Sequence, residues 1–340
     1  MSQDKANQKK ASLLDTAKDL LKRTPAKAFV NRLRRYQYCY KECKESAKGD
    51  VIHTRENLVR TALLLSHSIE REMAITSDKP LRGIHRVEEL YSVVSELSSS
   101  FPTETFAISE SESVLSEWAR WQERLNPSVV DSNATVRDLL TNLPKPSPLN
   151  DLPSGASLYH PYNEPALTAA YAELVEGRHS IREFSDEPVS KDKLLEAICL
   201  AQRAPSACNR QSCKIYVSGN GSARVISRLV HGNRGFEKHI HQWLVITSDR
   251  SLYSSSETFQ WLLDGGIFLY STVLSLHAFG IESCIHQWAS SDNSAELRDA
   301  LGIAECEAIC AVVAIGYPAE NAKVLAASRK NTTDIVNFCS

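Results

Sequence analysis

The chain has 340 residues, and its 39 basic and 41 acidic side chains leave a formal net charge of −2. A hydrophobic share of 42% and a charged share of 24% are typical of a globular protein, and the near-zero charge gives no general attraction to nucleic acid. No apolar run reaches the roughly 20 residues of a membrane span. Nine cysteines without a CxxC pair, and a start without an apolar signal core, favour a reducing, cytoplasmic location.

The first half of the chain is predicted to be helical. Apolar residues recur at helical spacing in four stretches, which run over 13–21, 58–73, 84–97 and 114–125. Each stripe needs burial against another element, which predicts an all-α domain over residues 1–143. The basic residues from Lys22 to Arg35 are interpreted as the solvated face of a helix, with Phe29 and Val30 buried. Peripheral contact with a membrane surface or an acidic partner is the alternative.

The second half follows a proline-rich stretch. Six prolines between Pro144 and Pro165 predict an extended linker over 144–165, followed by a domain over 166–340. Helices are predicted up to Gly177, from Ser190 to before Pro205, from about Phe259 to Gly280, and over 294–301. Strands are predicted over 214–217, 243–247, 283–286 and 308–315. Interleaved helices and short strands indicate an α+β domain, a sheet flanked by helices.

Two loops of this domain carry candidate binding residues. Arg178-His179-Ser180-Ile181-Arg182 offers two guanidiniums and a hydroxyl, donors that suit a phosphate. The segment from Ala204 to Gln211 combines small residues with the amides of Asn209 and Gln211, which suits a flat ligand. Taken separately, each loop could equally be an ordinary connection.

In order along the chain, these loops and three later segments resemble the nitroreductase superfamily of FMN-dependent oxidoreductases. The resemblance runs from Arg178 to the C-terminus and implies the family's mixed sheet flanked by helices, arranged as a homodimer. The matched positions are Arg178, Ser180 and Arg182; Pro205, Ser206, Asn209 and Gln211; Asp264, Gly266 and Gly280; Gly316, Tyr317 and Pro318; and Arg329.

The resemblance implies an FMN site. Its residues would be Arg178, His179, Ser180, Arg182, Pro205, Ser206, Ala207, Asn209, Gln211, Asn233, His286, Gln287 and Arg329. The phosphate would be held by Arg178, Ser180 and Arg329, and Arg182 would lie near the pyrimidine edge of the flavin.

The remaining roles are implied in the same way. Pro205 to Ala207 would cover the ring from the second subunit, while Asn209 and Gln211 would order their own loop. Asn233 would bond the flavin edge, and the turn at His286-Gln287 would face N5.

The implied activity is hydride transfer from NAD(P)H through flavin N5 to a flat, electron-poor small molecule, with ping-pong kinetics and no catalytic side chain. An alternative is a weakly active or inactive flavin-binding accessory protein of surface-polysaccharide biosynthesis. A loose match of residues 67–71 and 79–83 to the His-x-x-Glu-Lys motif of nitroreductase-like proteins from such gene clusters motivates it. Ser212 and Cys213, which replace the family's Pro-Trp, motivate it as well. A specialised biosynthetic flavin oxidase is a third hypothesis.

Two rival sites were considered. Residues 219–224 form an incomplete dinucleotide fingerprint, because Arg224 replaces the third glycine; they are interpreted as a turn that caps a helix. His239 and His241, with His231 or Cys208, could in principle bind a metal. We expect these histidines to have structural roles and predict no metal site.

Overall fold

The computed structural model describes residues 25–75, 81–125, 128, 132–142, 152–157, 165–288 and 294–339. The described helices are α1 (Pro25–Ser46), α2 (Arg55–Ala74), α3 (Ile84–Ser100), α4 (Thr105–Leu125), α5 (Ala134–Asn142), α6 (Pro165–Gly177), α7 (Lys191–Ala201), α8 (Asn220–Leu229), α9 (Gln260–Ala278) and α10 (Ser294–Leu301). The strands are β1 (Cys213–Val217), β2 (Gln242–Asp249), β3 (Glu282–His286) and β4 (Glu307–Gly316).

The chain divides into two compact units, residues 1–45 and residues 46–340. In the first unit, the predicted stripe over 13–21 and the basic residues Lys22 and Arg23 lie outside the described residues. The expected burial of Phe29 and Val30 on α1 is wrong, since both are exposed. Phe29 shares a helix face with Tyr36 and Tyr40, and that face is exposed as well.

Helices α2 to α5 form a bundle with its own core. Helices α2, α3 and α4 carry the predicted stripes over 58–73, 84–97 and 114–125, whereas α5 was not predicted. The apolar stripe of each helix faces the others, and Leu90, Leu97, Leu115 and Trp118 are fully buried. The side chain of Thr54 caps α2 by accepting a hydrogen bond from the Asn57 amide at 3.2 Å. The fully buried part of the bundle core thus consists of residues from these four helices.

The sheet has the strand order β1-β2-β4-β3, and its neighbouring strands run antiparallel. An isolated parallel bridge joins Ser180 to Ser283 at the β3 edge. One apolar layer packs α8 and α10 on the sheet, and a second packs α7 and α9 on the other face. Layers on both faces explain why the central strands β2 and β4 are buried along nearly their whole length.

Helix α9 approaches the sheet closely at Gly265. A Cβ atom at this position would lie 2.5 Å from Cys310 Sγ on β4, whereas one at Gly266 would meet no atom within 4 Å. Gly265 is therefore the residue that lets α9 reach the sheet, and the matched Gly266 is free of this constraint.

Helix α6 ends at Gly177, as predicted. None of its residues is buried, and Leu167, Tyr171 and Val175 are exposed. An apolar helix face left open in this way marks a surface that another molecule can cover.

The predicted linker lies largely outside the described residues, and the limits 143/144 and 165/166 remain predictions.

Of the described helices, none combines the length and the apolar composition needed to cross a bilayer.

Candidate functional site

The loop that carries Arg178, Ser180 and Arg182 is held at the edge of the sheet. The Ile181 amide donates to the Ser283 carbonyl at 3.0 Å. Three residues on, the Phe184 side chain packs on Gly316, where a Cβ atom would lie 2.8 Å from the ring. The matched Gly316 therefore serves close packing, and this packing aims the arginine loop along the end of β3.

The same edge brings in the C-terminal arm. The Ser185 amide donates to the Tyr317 carbonyl, and the Ala319 amide donates to the Glu183 carbonyl, both at 2.9 Å. These two bonds turn the chain after β4 back toward the arginine loop. Residues 132 and 136 positions apart in sequence thus become neighbours.

A cleft of about 530 Å³ lies between the arginine loop and this arm; we call it the arginine cleft. Its lining residues are Val175, Glu176, Arg178, His179, Ser180, Arg182, Leu325, Ala326, Ala327 and Arg329. Five of the predicted cofactor residues therefore converge here, including Arg329 from the far end of the chain.

The guanidiniums of the arginine cleft bond only to backbone oxygens among the hydrogen bonds of the described residues. Arg182 Nη1 donates to the Ser180 carbonyl at 3.3 Å, and Arg329 Nη1 donates to the Ala327 carbonyl at 2.7 Å. Within the described ranges, Arg178, Arg182 and Arg329 form no ion pair with a carboxylate. Glu176 also lines the cleft, but the balance of charge there is positive, which suits an anion.

The second predicted loop lines a different cavity of about 520 Å³, which we call the Pro-Ser cleft. It is lined by Leu195, Ile198, Gln202, Ala204, Pro205, Ser206, Gln211, Ser212, Cys213, Lys214, Ile215, Tyr216, Val217, Asp264 and Phe268. No residue lines both cavities. The predicted cofactor site is therefore divided between two surfaces of one chain.

The loop over residues 204–211, which we call the Pro-Ser loop, has a strained backbone. Cys208, Asn209 and Gln211 have φ angles of 52°, 52° and 49°, in the left-handed region that residues other than glycine rarely adopt. Two side chains hold this shape: Ser206 Oγ accepts from the Gln211 amide, and Asp264 Oδ2 accepts from the Ala207 amide, both at 3.0 Å. Gln211 Nε2 also donates to Asn209 Oδ1 at 3.4 Å, in line with the predicted ordering role of these two amides.

A buried network behind the loop was missed at the sequence level. Arg210 donates to both Glu257 carboxylate oxygens, at 2.6 and 3.1 Å, and lies 4.8 Å over the Tyr253 ring. Tyr253 in turn donates to Asp264 at 2.7 Å. Burial opposes ionisation of Glu257, but the hydrogen bonds from Arg210 and Ser254 prevail and lower its pKa. The available signals were Arg210, inside the second motif, and Asp264, a matched position without an assigned role.

In the third predicted group, Asn233 and His286 are turned into the protein, whereas Gln287 is exposed. Asn233 is buried and donates to the Ser227 carbonyl at 2.6 Å. The His286 ring is packed 5.0 Å from that of Trp243, and burial lowers its pKa, so the imidazole is neutral at pH 7. Gln287 pairs with His231 in an isolated bridge. None of the three lines the arginine cleft or the Pro-Ser cleft. For His286 the reason is strand alternation, which places it on the same buried face as Cys284.

The rival sites have structural partners. Gly219 caps α8, its amide bonded to Ser222 Oγ at 3.0 Å. His241 lies 3.2 Å from Asp186. Across the part of the chain that the structure describes, no group of three or more His, Cys, Asp or Glu residues is arranged to hold a metal ion.

The loosely matched pair His67 and Glu70 lies on α2, in the helical bundle and outside both clefts. Glu70 accepts from the Gly155 amide at 3.2 Å. Burial, and then the nearby Glu70 charge, raise the pKa of Glu110 to about 7. Lys79 and Pro80, which belong to the same match, lie outside the described residues.

The region of the chain that matches a known family contains both predicted loops. The sequence model of the nitroreductase family matches residues 175–258. No curated protein matches the chain.

Solved structures similar to this chain include an FMN-dependent nitroreductase from Clostridium difficile R20291, at 22% identity over 50% of this chain and 99% of that one, with a TM-score of 0.43. A nitroreductase family protein from Streptococcus pneumoniae TIGR4 has 22% identity over 50% and 100%, with a TM-score of 0.43. A protein from Desulfovibrio desulfuricans, described as a nitroreductase in complex with FMN, has 19% identity over 53% and 99%, with a TM-score of 0.42. Residues 175–258 thus match the sequence model of the nitroreductase family.

Proposed function

We propose that the chain is an FMN-dependent oxidoreductase that uses NAD(P)H to reduce a flat, electron-poor small molecule. The observation that carries this proposal is the arginine cleft, where Arg178, Ser180, Arg182 and Arg329 converge without a carboxylate partner among the described residues. Its volume of about 530 Å³ lies within the range of small-molecule sites.

The residues of the cleft fit the polar end of FMN. Arg178, Ser180 and Arg329 would bind the phosphate, because forked guanidinium donors and a hydroxyl match its oxygens. Arg182 would lie beside the pyrimidine edge, where its positive charge stabilises negative charge on the ring. FMN, when bound, would supply the hydride chemistry, so the side chains would have to bind, orient and exclude water.

We further propose that two copies of the chain complete each site. The arginine cleft and the Pro-Ser cleft have no lining residue in common, although both sets of residues are predicted to contact one FMN. Exposed apolar side chains are available to bury in a dimer: Leu167, Tyr171 and Val175 on α6; Leu262, Leu263 and Tyr270 on α9; and Leu325, Ile335, Val336 and Phe338 on the C-terminal arm. We also propose a cytoplasmic location, because nine cysteines without a CxxC pair suit a reducing compartment.

The direct test is a flavin titration of the purified full-length chain. We expect one FMN per chain, a yellow complex, and anaerobic loss of colour when NADH or NADPH is added. A chain that stays colourless at saturating FMN contradicts the proposal. Bound FMN that neither nucleotide reduces would instead support the accessory-protein hypothesis.

A further inference from the structure

The helical bundle touches the segment that supports the Pro-Ser loop. The contact is made by the turn Ala47–Asp50, which precedes α2. A Cβ atom at Gly49 would lie 2.4 Å from the Ser251 carbonyl oxygen, so only glycine permits this approach. Next to it, Asp50 Oδ2 accepts from the Ser255 amide at 3.1 Å. Two adjacent residues of the turn thus fix the course of residues 251–255.

This turn is itself anchored on α2. Arg60 donates to Asp50 Oδ1 at 2.6 Å, and Asn57 Nδ2 donates to the Gly49 carbonyl at 2.8 Å. Burial of Asp50 is outweighed by its bonds to Arg60 and Ser255, which lower its pKa, so the carboxylate is charged at neutral pH. Leu252 adds an apolar contact with the core of the bundle.

On its other side, the same segment holds the Pro-Ser loop. Glu257 accepts from the Ser254 amide at 2.8 Å and binds Arg210 within the loop. Tyr253 lies under Arg210 and donates to Asp264, which binds the Ala207 amide. Every link from Asp50 to Ala207 is thus a direct contact.

We propose that Gly49 and Asp50 are positioning residues for the Pro-Ser loop, so that the helical bundle sets the shape of one wall of the FMN site. The effect on FMN binding rests on the proposed function, whereas the effect on the shape of the Pro-Ser loop does not. The left-handed residues of the loop need external support, and the bundle provides it through residues 251–257. The bundle is therefore a built-in part of the site.

The test is hydrogen–deuterium exchange of the full-length chain without flavin, read on peptides that cover residues 204–212. The variant Asp50→Ala removes the acceptor of the Ser255 amide, and Asp50 is exposed, so the fold is expected to survive. We expect the amides of Ala207 and Gln211 to exchange roughly two- to tenfold faster, the range for one lost hydrogen bond. The control Glu88→Ala removes an exposed carboxylate of the bundle that accepts a hydrogen bond from Thr135, and it should leave these peptides unchanged.

Two further variants distinguish the loss of the Asp50 contact from a general loss of stability. Asp50→Asn retains a side-chain oxygen for the Ser255 amide and should restore most of the protection. Glu257→Ala removes both oxygens that accept from Arg210. Adding Asp50→Ala to it should accelerate exchange by less than Asp50→Ala does alone, because one of the two paths from residues 251–257 to the loop is already interrupted.

Flavin binding gives the second readout. Asp50→Ala should weaken FMN binding roughly two- to tenfold, with Asp50→Asn closer to the wild type. Equal exchange of the 204–212 peptides in the wild type, Asp50→Ala and Glu88→Ala overturns this inference even when FMN binds normally. A wild-type chain that binds no FMN defeats the proposed function, while the exchange result still decides whether the bundle positions the loop.

Discussion

The helical bundle and the sheet region differ in how far one chain completes them. Helices α2 to α5 bury their apolar stripes in one another, with Leu97, Leu115 and Trp118 fully enclosed. The sheet region has two good inner layers but leaves the face of α6 open and the arginines of its cleft without carboxylate partners in the described residues. The buried core of the first region accounts for its stability, and the second region is where we propose that a ligand and a partner bind.

The largest effect expected from this comparison is on stability, through the bundle core. Leu97→Ala removes a fully buried side chain of α3 and should destabilise the protein by about 3 kcal/mol, which lowers the Tm by roughly 5–10 °C. FMN affinity, measured well below the Tm, should stay the same, because Leu97 lines neither the arginine cleft nor the Pro-Ser cleft. A Leu97→Ala protein with wild-type Tm would mean that the bundle core can repack.

The next effect is on binding in the arginine cleft. Arg178→Ala removes charged donors to the proposed phosphate and should weaken FMN binding about 10- to 100-fold. Isothermal titration with FMN measures it, and Arg137→Ala, an exposed arginine of α5, is the matched control. If both variants bind FMN equally well, the arginine cleft is not the phosphate site.

A smaller effect is expected on assembly. Tyr171→Asp places a charge on the exposed face of α6 and should weaken the proposed dimer about tenfold in sedimentation velocity experiments over a concentration series. Tyr40→Asp, at an exposed tyrosine of α1, controls for the added charge. An identical concentration dependence for both variants would exclude α6 from the interface.

The smallest effect is a pH dependence within the bundle. Burial and the Glu70 charge raise the pKa of Glu110 to about 7, so the folded state favours the protonated form. The associated stability is present below the unfolded pKa and is lost as the pH rises through about 7. Glu110→Gln should therefore raise the Tm by about 2–4 °C at pH 8 and change little at pH 4, with the exposed Glu88→Gln as control. A pH-independent difference would contradict the assignment.

Periodicity and capping residues predicted the elements well. The predicted helix over 294–301 has those bounds in the structure, and the strand over 308–315 is β4 with one more residue at each end. Ser190 caps α7 as expected, through a bond from the Lys193 amide to its Oγ at 3.4 Å. Such features depend on neighbours in sequence, which is why sequence reasoning reaches them.

The site could be predicted only in part, since its shape depends on distant contacts. Arg178 and Arg329 line the same cleft because the chain after β4 folds back. The family resemblance had implied that these two arginines lie together. The inward placement of Asn233 and His286 depends on which sheet face is covered. The network of Arg210, Glu257 and Asp264 depends on left-handed backbone at residues that give no such signal in sequence.

The central claim is that one FMN site is built from the arginine cleft of one chain and the Pro-Ser cleft of another. The most direct measurement mixes Arg178→Ala protein with Pro205→Trp protein, which carries a bulky side chain at an exposed position of the Pro-Ser cleft. Neither variant alone should bind FMN tightly. After subunit exchange, verified with two affinity tags, a mixed dimer holds one intact site, so tight binding should return to about one quarter of the wild-type level. Mixed dimers that form but bind no more FMN than the separate variants would contradict the shared site.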